Sequence, residues 1–160
     1  MEVRVLGPLE VWRGDEAAAL PGAKPRQLLA LLAMRPNQRV WSEVLIDELW
    51  DQSPPSTAAS ALRTHVTSVR RVLSSADTSA EALGSGPRLT LDAAGYALRL
   101  ERDELDVTRF EHLVEQGKDA VARGDLHHGE EALQSALSLW RGPALFDVRD
   151  LSADCNASSP

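Results

Sequence analysis

The sequence has few of the features that mark membrane, secreted or disulfide-bonded proteins. None of its 160 residues belongs to a run of eighteen apolar residues, which excludes a transmembrane helix. The first residues, MEVRVL, lack an apolar stretch after a basic start, so we expect no secretory signal. The single cysteine, Cys155, cannot form an internal disulfide, and this agrees with a reducing, cytoplasmic location.

The motifs of common catalytic and metal sites are also absent. The sequence holds no glycine-rich phosphate loop, no Cys-x-x-Cys pair and no His-Glu-x-x-His motif. His127 and His128, followed by Glu130 and Glu131, are the strongest candidates for a metal site. Adjacent residues on a helix point about 100° apart, so the two imidazoles cannot face one ion together. We therefore expect neither an enzyme nor a bound metal or cofactor.

Positive charge is scarce overall but is unevenly distributed. The net charge of −7, from 17 Lys and Arg against 24 Asp and Glu, argues against a nucleic-acid partner. Residues 1–100 hold 11 basic and 11 acidic residues, whereas residues 101–160 hold 6 and 13. Within the neutral part, residues 56–75 carry three arginines and no acid. This local charge can attract phosphate, although a solvated basic helix face is the alternative.

The first hundred residues contain patterns typical of strands, then three helices, then a β-hairpin. Ser42 is a suitable N-cap for the second helix. A stretch rich in Ser, Ala and Gly, residues 74–87, predicts a flexible loop. The strands are predicted at residues 3–6, 9–12 and 17–20, the helices at 24–35, 42–50 and 56–73, and the hairpin at 88–91 and 96–100.

The third predicted helix, residues 56–73, has the clearest amphipathic pattern. Its apolar residues are spaced 4, 3 and 4 apart and form one buried stripe: Leu62, Val66, Val69 and Leu73. The opposite face collects small polar residues and one arginine: Ser60, Thr64, Thr67, Ser68 and Arg71. Small side chains let a helix approach a surface closely, and arginine supplies bidentate donors for phosphate or guanine. A merely solvated helix would more often carry Glu and Lys in i,i+4 pairs.

This order of elements is that of a winged helix-turn-helix, in which the second helix of a pair enters the major groove. The predicted fold class is α+β, with an N-terminal β-sheet and a C-terminal hairpin completing a winged-helix domain over residues 1–102. Residues 103–160 predict two amphipathic helices, 106–123 and 127–140, which look like one tetratricopeptide-type hairpin. Residues 152–160 look unstructured.

Several motifs, taken in order, resemble the SARP-type transcriptional activators, which are actinobacterial activators of antibiotic biosynthesis genes. They are residues 5–11 (VLGPLEV), 22–32 (GAKPRQLLALL), 45–50 (LIDELW), 54–55 (PP), 69–73 (VRRVL), 95–98 (GYAL), 106–111 (DVTRFE) and 136–145 (ALSLWRGPAL). The match covers about residues 2–148. It implies a response-regulator-type winged helix followed by a tetratricopeptide-like bacterial transcriptional activation domain, which is shorter here than in the family.

The resemblance also implies a function. SARP-type proteins bind direct repeats in double-stranded promoter DNA and recruit the RNA polymerase holoenzyme, often as side-by-side protomers, so the expected location is the cytoplasm at the nucleoid. The competing hypothesis is a protein-interaction module whose winged helix does not bind DNA. The acid-free stretch of residues 56–75 favours DNA.

The candidate DNA-binding residues lie mainly on the third helix. The candidates for reading bases are Ser60, Thr64, Thr67 and Arg71. Arg63 and Arg70 are candidate phosphate anchors, although Arg70 could instead form a structural ion pair beside the core.

Four further candidates lie outside that helix. Lys24 and Arg26, at a helix start, could meet phosphate or equally form a solvated first turn. Arg88 and Tyr96 lie at the two bases of the predicted hairpin, and core packing is the stronger alternative for Tyr96. The tryptophans are expected in the core: Trp12, Trp41, Trp50 and Trp140.

Overall fold

The computed structural model describes residues 1–51, 53–74, 88–92 and 95–148, which form two compact units. Among the described residues, the first unit comprises those between Val11 and Leu100, and the second comprises Glu2–Glu10 and residues 101–148. The sequence predicts one domain over residues 1–102, whereas the structure packs Glu2–Glu10 with the second unit. The cause is a buried carboxylate, Asp106, which binds the backbone of residues 5 and 6.

The predicted helices and strands of the described ranges are present, and their ends differ from the predictions by no more than two residues. A 3₁₀ turn, Arg102–Glu104, precedes the last two helices. In chain order the elements are β1 (Glu2–Arg4), β2 (Glu10–Arg13), β3 (Glu16–Ala18), α1 (Ala23–Ala33), β4 (Arg39–Trp41), α2 (Ser42–Trp50), α3 (Ala58–Leu73), β5 (Leu89–Asp92), β6 (Gly95–Leu98), α4 (Asp106–Ala122) and α5 (Leu126–Ser138).

The core of the first unit lies where α1, α2 and α3 pack together. Its central side chains are the buried leucines and valines of the three helices: Leu28, Leu29, Leu32, Leu45, Leu49, Leu62, Val66 and Val69. Each such side chain contributes about 1.5–3 kcal/mol when removed from water. The predicted apolar stripe of α3 is therefore confirmed as the buried face, and this fixes which residues of α3 face outward.

The first unit also contains a three-stranded antiparallel sheet in the order β4-β6-β5. Tyr96 of β6 stands opposite Val40 on one side and Leu91 on the other. A Cβ at Gly95 would lie 2.7 Å from the Val40 carbonyl oxygen, so only glycine permits this approach of β4. The sequence does not predict β4, because three residues directly before a helix are too few for an alternating pattern. β2 and β3 form a separate antiparallel pair, with Val11 opposite Ala18.

Two local predictions are wrong. Ser42 is the first helical residue of α2 rather than its N-cap, because β4 runs directly into the helix and Trp41 takes the capping position without a side-chain bond. Trp41 and Trp140 are 52% and 44% exposed rather than in the core. Trp41 lies beneath the Arg39 guanidinium, and Trp140, just beyond the end of α5, meets Phe110 edge-to-face.

In the second unit, α4 and α5 form an antiparallel helical hairpin with a close approach. A Cβ added at Gly117 would lie 2.7 Å from Leu133 Cγ. The Asp125 side chain caps α5 by accepting the His128 N–H at 3.2 Å. No helix in the described ranges is long and apolar enough to cross a membrane. The predicted loop at 74–87, apart from Ser74, and the predicted tail at 152–160 lie outside the described residues.

Candidate nucleic-acid interface

One face of α3 presents five of the candidate DNA-binding residues to the exterior. We call it the α3 polar face, and it consists of Ser60, Arg63, Thr64, Thr67 and Arg71. All five are exposed, whereas the opposite stripe of α3 is buried against α1 and α2. Seven residues separate the end of α2 at Trp50 from the start of α3 at Ala58, so the two helices follow each other closely, as expected of a helix-turn-helix pair.

The hydroxyl groups on this side of α3 all donate to backbone carbonyls of the preceding turn. Thr64 Oγ1 donates to the Ser60 carbonyl at 3.2 Å, and Thr67 Oγ1 donates to the Arg63 carbonyl at 3.0 Å. Ser60 and Ser68 make equivalent bonds to the carbonyls of Thr57 and Thr64. Each hydroxyl carries one proton, so these bonds hold the oxygens as exposed acceptors.

Two arginines of the α3 polar face supply its positive charge. The guanidinium groups of Arg63 and Arg71 form no ion pair within the described part of the chain. α3 carries no acidic residue, so nothing on the helix itself offsets the charge of the two side chains. They can therefore donate to phosphate oxygens or to the O6 and N7 atoms of guanine.

Arg70 and Arg13 bind backbone carbonyls around the C-terminal end of α3. Arg70 Nε donates to the Leu89 carbonyl of β5 at 3.0 Å, which ties α3 to the strand. Arg13 donates to the carbonyls of Val72 and Arg71, at the end of the helix where unpaired carbonyls carry partial negative charge. Arg70 thus has a structural contact, to a carbonyl rather than to an acid. The sequence does not single out Arg13, because its partners lie 58 and 59 residues further along the chain.

Lys24 belongs to a cluster that links α1, α2 and α3. Its Nζ donates to the Leu49 carbonyl near the end of α2 and lies 5.7 Å from the centre of the Trp50 ring. That ring lies 6.1 Å from the His65 imidazole of α3. Burial, and to a smaller extent the charge of Lys24, lower the pKa of His65. The structure thus gives Lys24 a contact that joins α1 to α2, and the contact of Lys24 with phosphate stays a prediction.

The two candidate residues of the hairpin have different environments. Tyr96 is 5% exposed and packs inside the sheet, so it does not lie on a DNA-facing surface, and its predicted contact is corrected to core packing. Arg88 is half-buried directly before β5. Arg26 is half-buried on α1. The structure therefore places Ser60, Arg63, Thr64, Thr67 and Arg71 on one exposed face of α3, whereas Lys24 and Tyr96 belong to α1 and β6.

Both parts of the chain match known families. Residues 17–84 match the family described as "Transcriptional regulatory protein, C terminal", and residues 105–158 match the "Bacterial transcriptional activator domain". The chain belongs to the SARP-type family of transcriptional activators. The predicted family and the predicted winged-helix fold class are confirmed.

Individual relatives cover nearly all of the chain. Regulatory protein DnrI of Streptomyces peucetius is 37% identical over 151 residues, which are 92% of this chain and 54% of DnrI. Regulatory protein AfsR of Streptomyces griseus is 34% identical over 150 residues, which are 94% of this chain and 14% of AfsR. The solved structure of Mycobacterium tuberculosis EmbR in complex with a low-affinity phosphopeptide matches with a TM-score of 0.83 and 30% identity, over 98% of this chain and 41% of EmbR. The chain spans about half the length of these relatives, or less.

Proposed function

We propose that this chain is a sequence-specific DNA-binding regulator that activates transcription, in keeping with its SARP-type family. The observation that carries the proposal is the α3 polar face. It combines exposed hydroxyl acceptors with two arginines, and it lies on the second helix of a helix pair that is followed by a β-hairpin. Small side chains beside arginine are what a helix needs to reach base edges in the major groove.

In this mechanism α3 enters the major groove with its polar face toward the bases. Arg63, on the flank of that face, binds phosphate and sets the position of the helix. Thr64, Thr67 and Arg71 face the base edges. Arg13 and Arg70 keep α3 fixed by binding carbonyls at its C-terminal end and in β5. The preformed helix therefore loses little conformational freedom when it binds.

The first unit has the electrostatic balance that this role requires. Val11–Leu100 contains ten Lys and Arg and nine Asp and Glu, so the acidity of the whole chain lies elsewhere. Within this nearly neutral unit the arginines of α3 create a local positive field. A protein that neutralises phosphates releases counterions, so binding should weaken steeply with salt.

Activation would depend on protein contacts by the second unit. Leu126 and Leu137 of α5 are each 67% exposed, and Trp140 is 44% exposed. Exposed apolar side chains along a helix and just beyond its end offer a surface for a protein partner. We propose that this partner is RNA polymerase holoenzyme, bound by protomers that occupy direct repeats in a promoter in the cytoplasm, as the family implies.

The proposal is tested by selecting binding sites from a pool of random duplexes with the purified chain. We expect one enriched sequence, bound about a thousandfold or more tightly than unrelated DNA at physiological salt. Equal binding to all duplexes, or no binding, would overturn the DNA-binding function. A footprint that shows two adjacent protected sites would support binding to direct repeats.

The exposed leucines of α5 also favour a second candidate function, a protein-interaction module without DNA binding. The two functions differ in what α3 must do. If the selection enriches no sequence while a partner protein binds and Leu137→Ser abolishes that binding, the second function is the correct one.

A further inference from the structure

We propose that Thr64 and Thr67 read the 5-methyl groups of thymine in the major groove. This inference rests on the proposed DNA binding and names the base feature that the centre of the α3 polar face recognises. It follows from how the two hydroxyl groups are bonded within α3.

The hydroxyl protons of the two threonines are already in use. Thr64 Oγ1 donates to the Ser60 carbonyl at 3.2 Å, and Thr67 Oγ1 donates to the Arg63 carbonyl at 3.0 Å. A hydroxyl has one proton to donate, so neither side chain offers a donor to the O6 and N7 acceptors of guanine without breaking its bond to α3. The two threonines are therefore poorly suited to reading guanine.

What remains exposed on each threonine is its methyl group and the lone pairs of its hydroxyl oxygen. The oxygen is one branch at Cβ and the methyl is the other, so fixing the oxygen against the backbone also fixes the methyl. Thymine is the only base that places a methyl group in the major groove, and threonine methyl groups make apolar contact with it. The bonded oxygens can still accept from the amino group of adenine or of cytosine, so they do not by themselves distinguish A·T from G·C pairs.

The positions of the two residues suit adjacent base pairs. Residues three apart on a helix lie on the same side, with their Cβ atoms about 5–6 Å apart. Arg63 and Arg71 lie on the same α3 polar face and supply the donors that the threonines lack. On the α3 polar face, therefore, the arginines are suited to phosphate and guanine, and the threonines are suited to thymine.

The test uses the sequence that the chain itself selects from random duplexes. Each thymine of that site is replaced singly by deoxyuridine, which removes only the methyl group. We expect the wild-type chain to bind about threefold to fourfold more weakly at one or two of these positions, which is the effect of burying one methyl group.

Matched variants then assign each position. Thr64→Ser and Thr67→Ser keep the hydroxyl and remove the methyl, so each should bind the thymine site more weakly and lose its penalty for deoxyuridine at one position. Thr64→Val and Thr67→Val keep the methyl and remove the hydroxyl, so each should retain that penalty. Serine and valine have helix propensities close to that of threonine, and thermal unfolding should confirm that the four variants fold as the wild type does.

The outcomes separate this inference from the proposed function. Specific binding with no deoxyuridine penalty at any position overturns the reading of thymine but leaves DNA binding in place. A penalty for 7-deazaguanine that disappears in Thr64→Val also overturns it, because the hydroxyl would then be donating to guanine. Failure to select any sequence overturns the DNA-binding function itself.

Discussion

The carboxylate of Asp106 accepts the backbone N–H of Val5 through both of its oxygens, at 2.8 and 3.0 Å. Oδ2 also accepts the N–H of Leu6 at 2.9 Å and lies 3.5 Å from Nη2 of Arg141. The side chain is almost fully buried, so these partners replace its hydration. Asp106 therefore joins β1, the first turn of α4 and the segment after α5 within the second unit.

Replacing this carboxylate by its amide should destabilise the second unit. In Asp106→Asn one acceptor oxygen becomes an NH₂ group, which would face the N–H donors of Val5 and Leu6, and Arg141 loses its charge partner. We expect a loss of about 3 kcal/mol in the free energy of unfolding, because hydrogen bonds to charged groups are worth more than neutral ones. Urea unfolding measures the loss, and amide hydrogen exchange at residues 5 and 6 shows where it occurs.

The matched control is Asp119→Asn, the same substitution at an exposed position of α4. Its effect should stay within about 0.5 kcal/mol. Equal stability of Asp106→Asn and wild type, with slow exchange at residues 5 and 6 in both, would show that the bonds of the Asp106 carboxylate contribute nothing to the free energy of unfolding.

Local patterns in the sequence are enough to predict most of the fold. They do not predict the hydrogen bonds that join Asp106 to Val5 and Leu6. The 4-3-4 spacing in α3 acts over a few residues, and the buried stripe that it predicts appears in the structure. Asp106 and Val5 are 101 residues apart, and no periodicity relates them. The placement of β1 with the second unit could not be predicted for the same reason.

In the candidate site, too, local patterns predict some features, and contacts between distant parts of the chain decide the others. Helical periodicity alone places Ser60, Thr64 and Arg71 on one exposed face. Lys24 and Tyr96 are candidates only because they lie at a helix start and at a hairpin base. Position along the chain does not reveal that a lysine binds a carbonyl of another helix, or that a tyrosine lies between two neighbouring strands.

The close approach of α4 and α5 predicts an unusual effect of alanine. Alanine is favoured over glycine in a helix by about 1 kcal/mol, so Gly117→Ala should be stabilising on propensity alone. Its Cβ would lie 2.7 Å from Leu133 Cγ, and we expect a net loss of about 1–3 kcal/mol instead. Thermal unfolding followed by circular dichroism measures the change.

A double mutant identifies the cause of that loss. With Leu133→Ala in the background the obstructing side chain is gone, so Gly117→Ala should become neutral or stabilising. An equal loss in both backgrounds would contradict overcrowding between the helices.

The lowered pKa of His65 predicts how acid affects the first unit. Burial, and then Lys24, favour the neutral imidazole in the folded state, so the unfolded chain binds the proton more readily. The resulting stability is complete above the ordinary histidine pKa of 6.5 and decreases as the pH falls below it. Titration of the His65 ring by NMR should give a pKa below 6.5, and Lys24→Met should bring it closer to that value. A pKa at or above 6.5 in the wild type would contradict the expected sign.

Arg63 should contribute to DNA affinity through charge. Arg63→Ala would remove the proposed phosphate contact, so we expect weaker binding and a decrease of about 1 in the slope of log K against log salt. Fluorescence anisotropy at several salt concentrations, with the selected duplex, measures both quantities. Arg123→Ala makes the same change of charge at an exposed position after α4 and should leave the slope unchanged. If the two variants behave alike, the effect of Arg63 is only a change in overall charge.

Arg70 offers a direct comparison between a phosphate contact and a structural one. Its Nε donates to the Leu89 carbonyl at 3.0 Å, and lysine has the same charge but no such planar donor. If the contact with β5 is its main role, Arg70→Lys and Arg70→Ala should both lower the free energy of unfolding by about 1 kcal/mol, and Arg70→Lys should keep the wild-type salt slope. Unfolding in urea and anisotropy titrations separate the two effects. Full stability of Arg70→Ala together with a lower salt slope would instead assign Arg70 to phosphate.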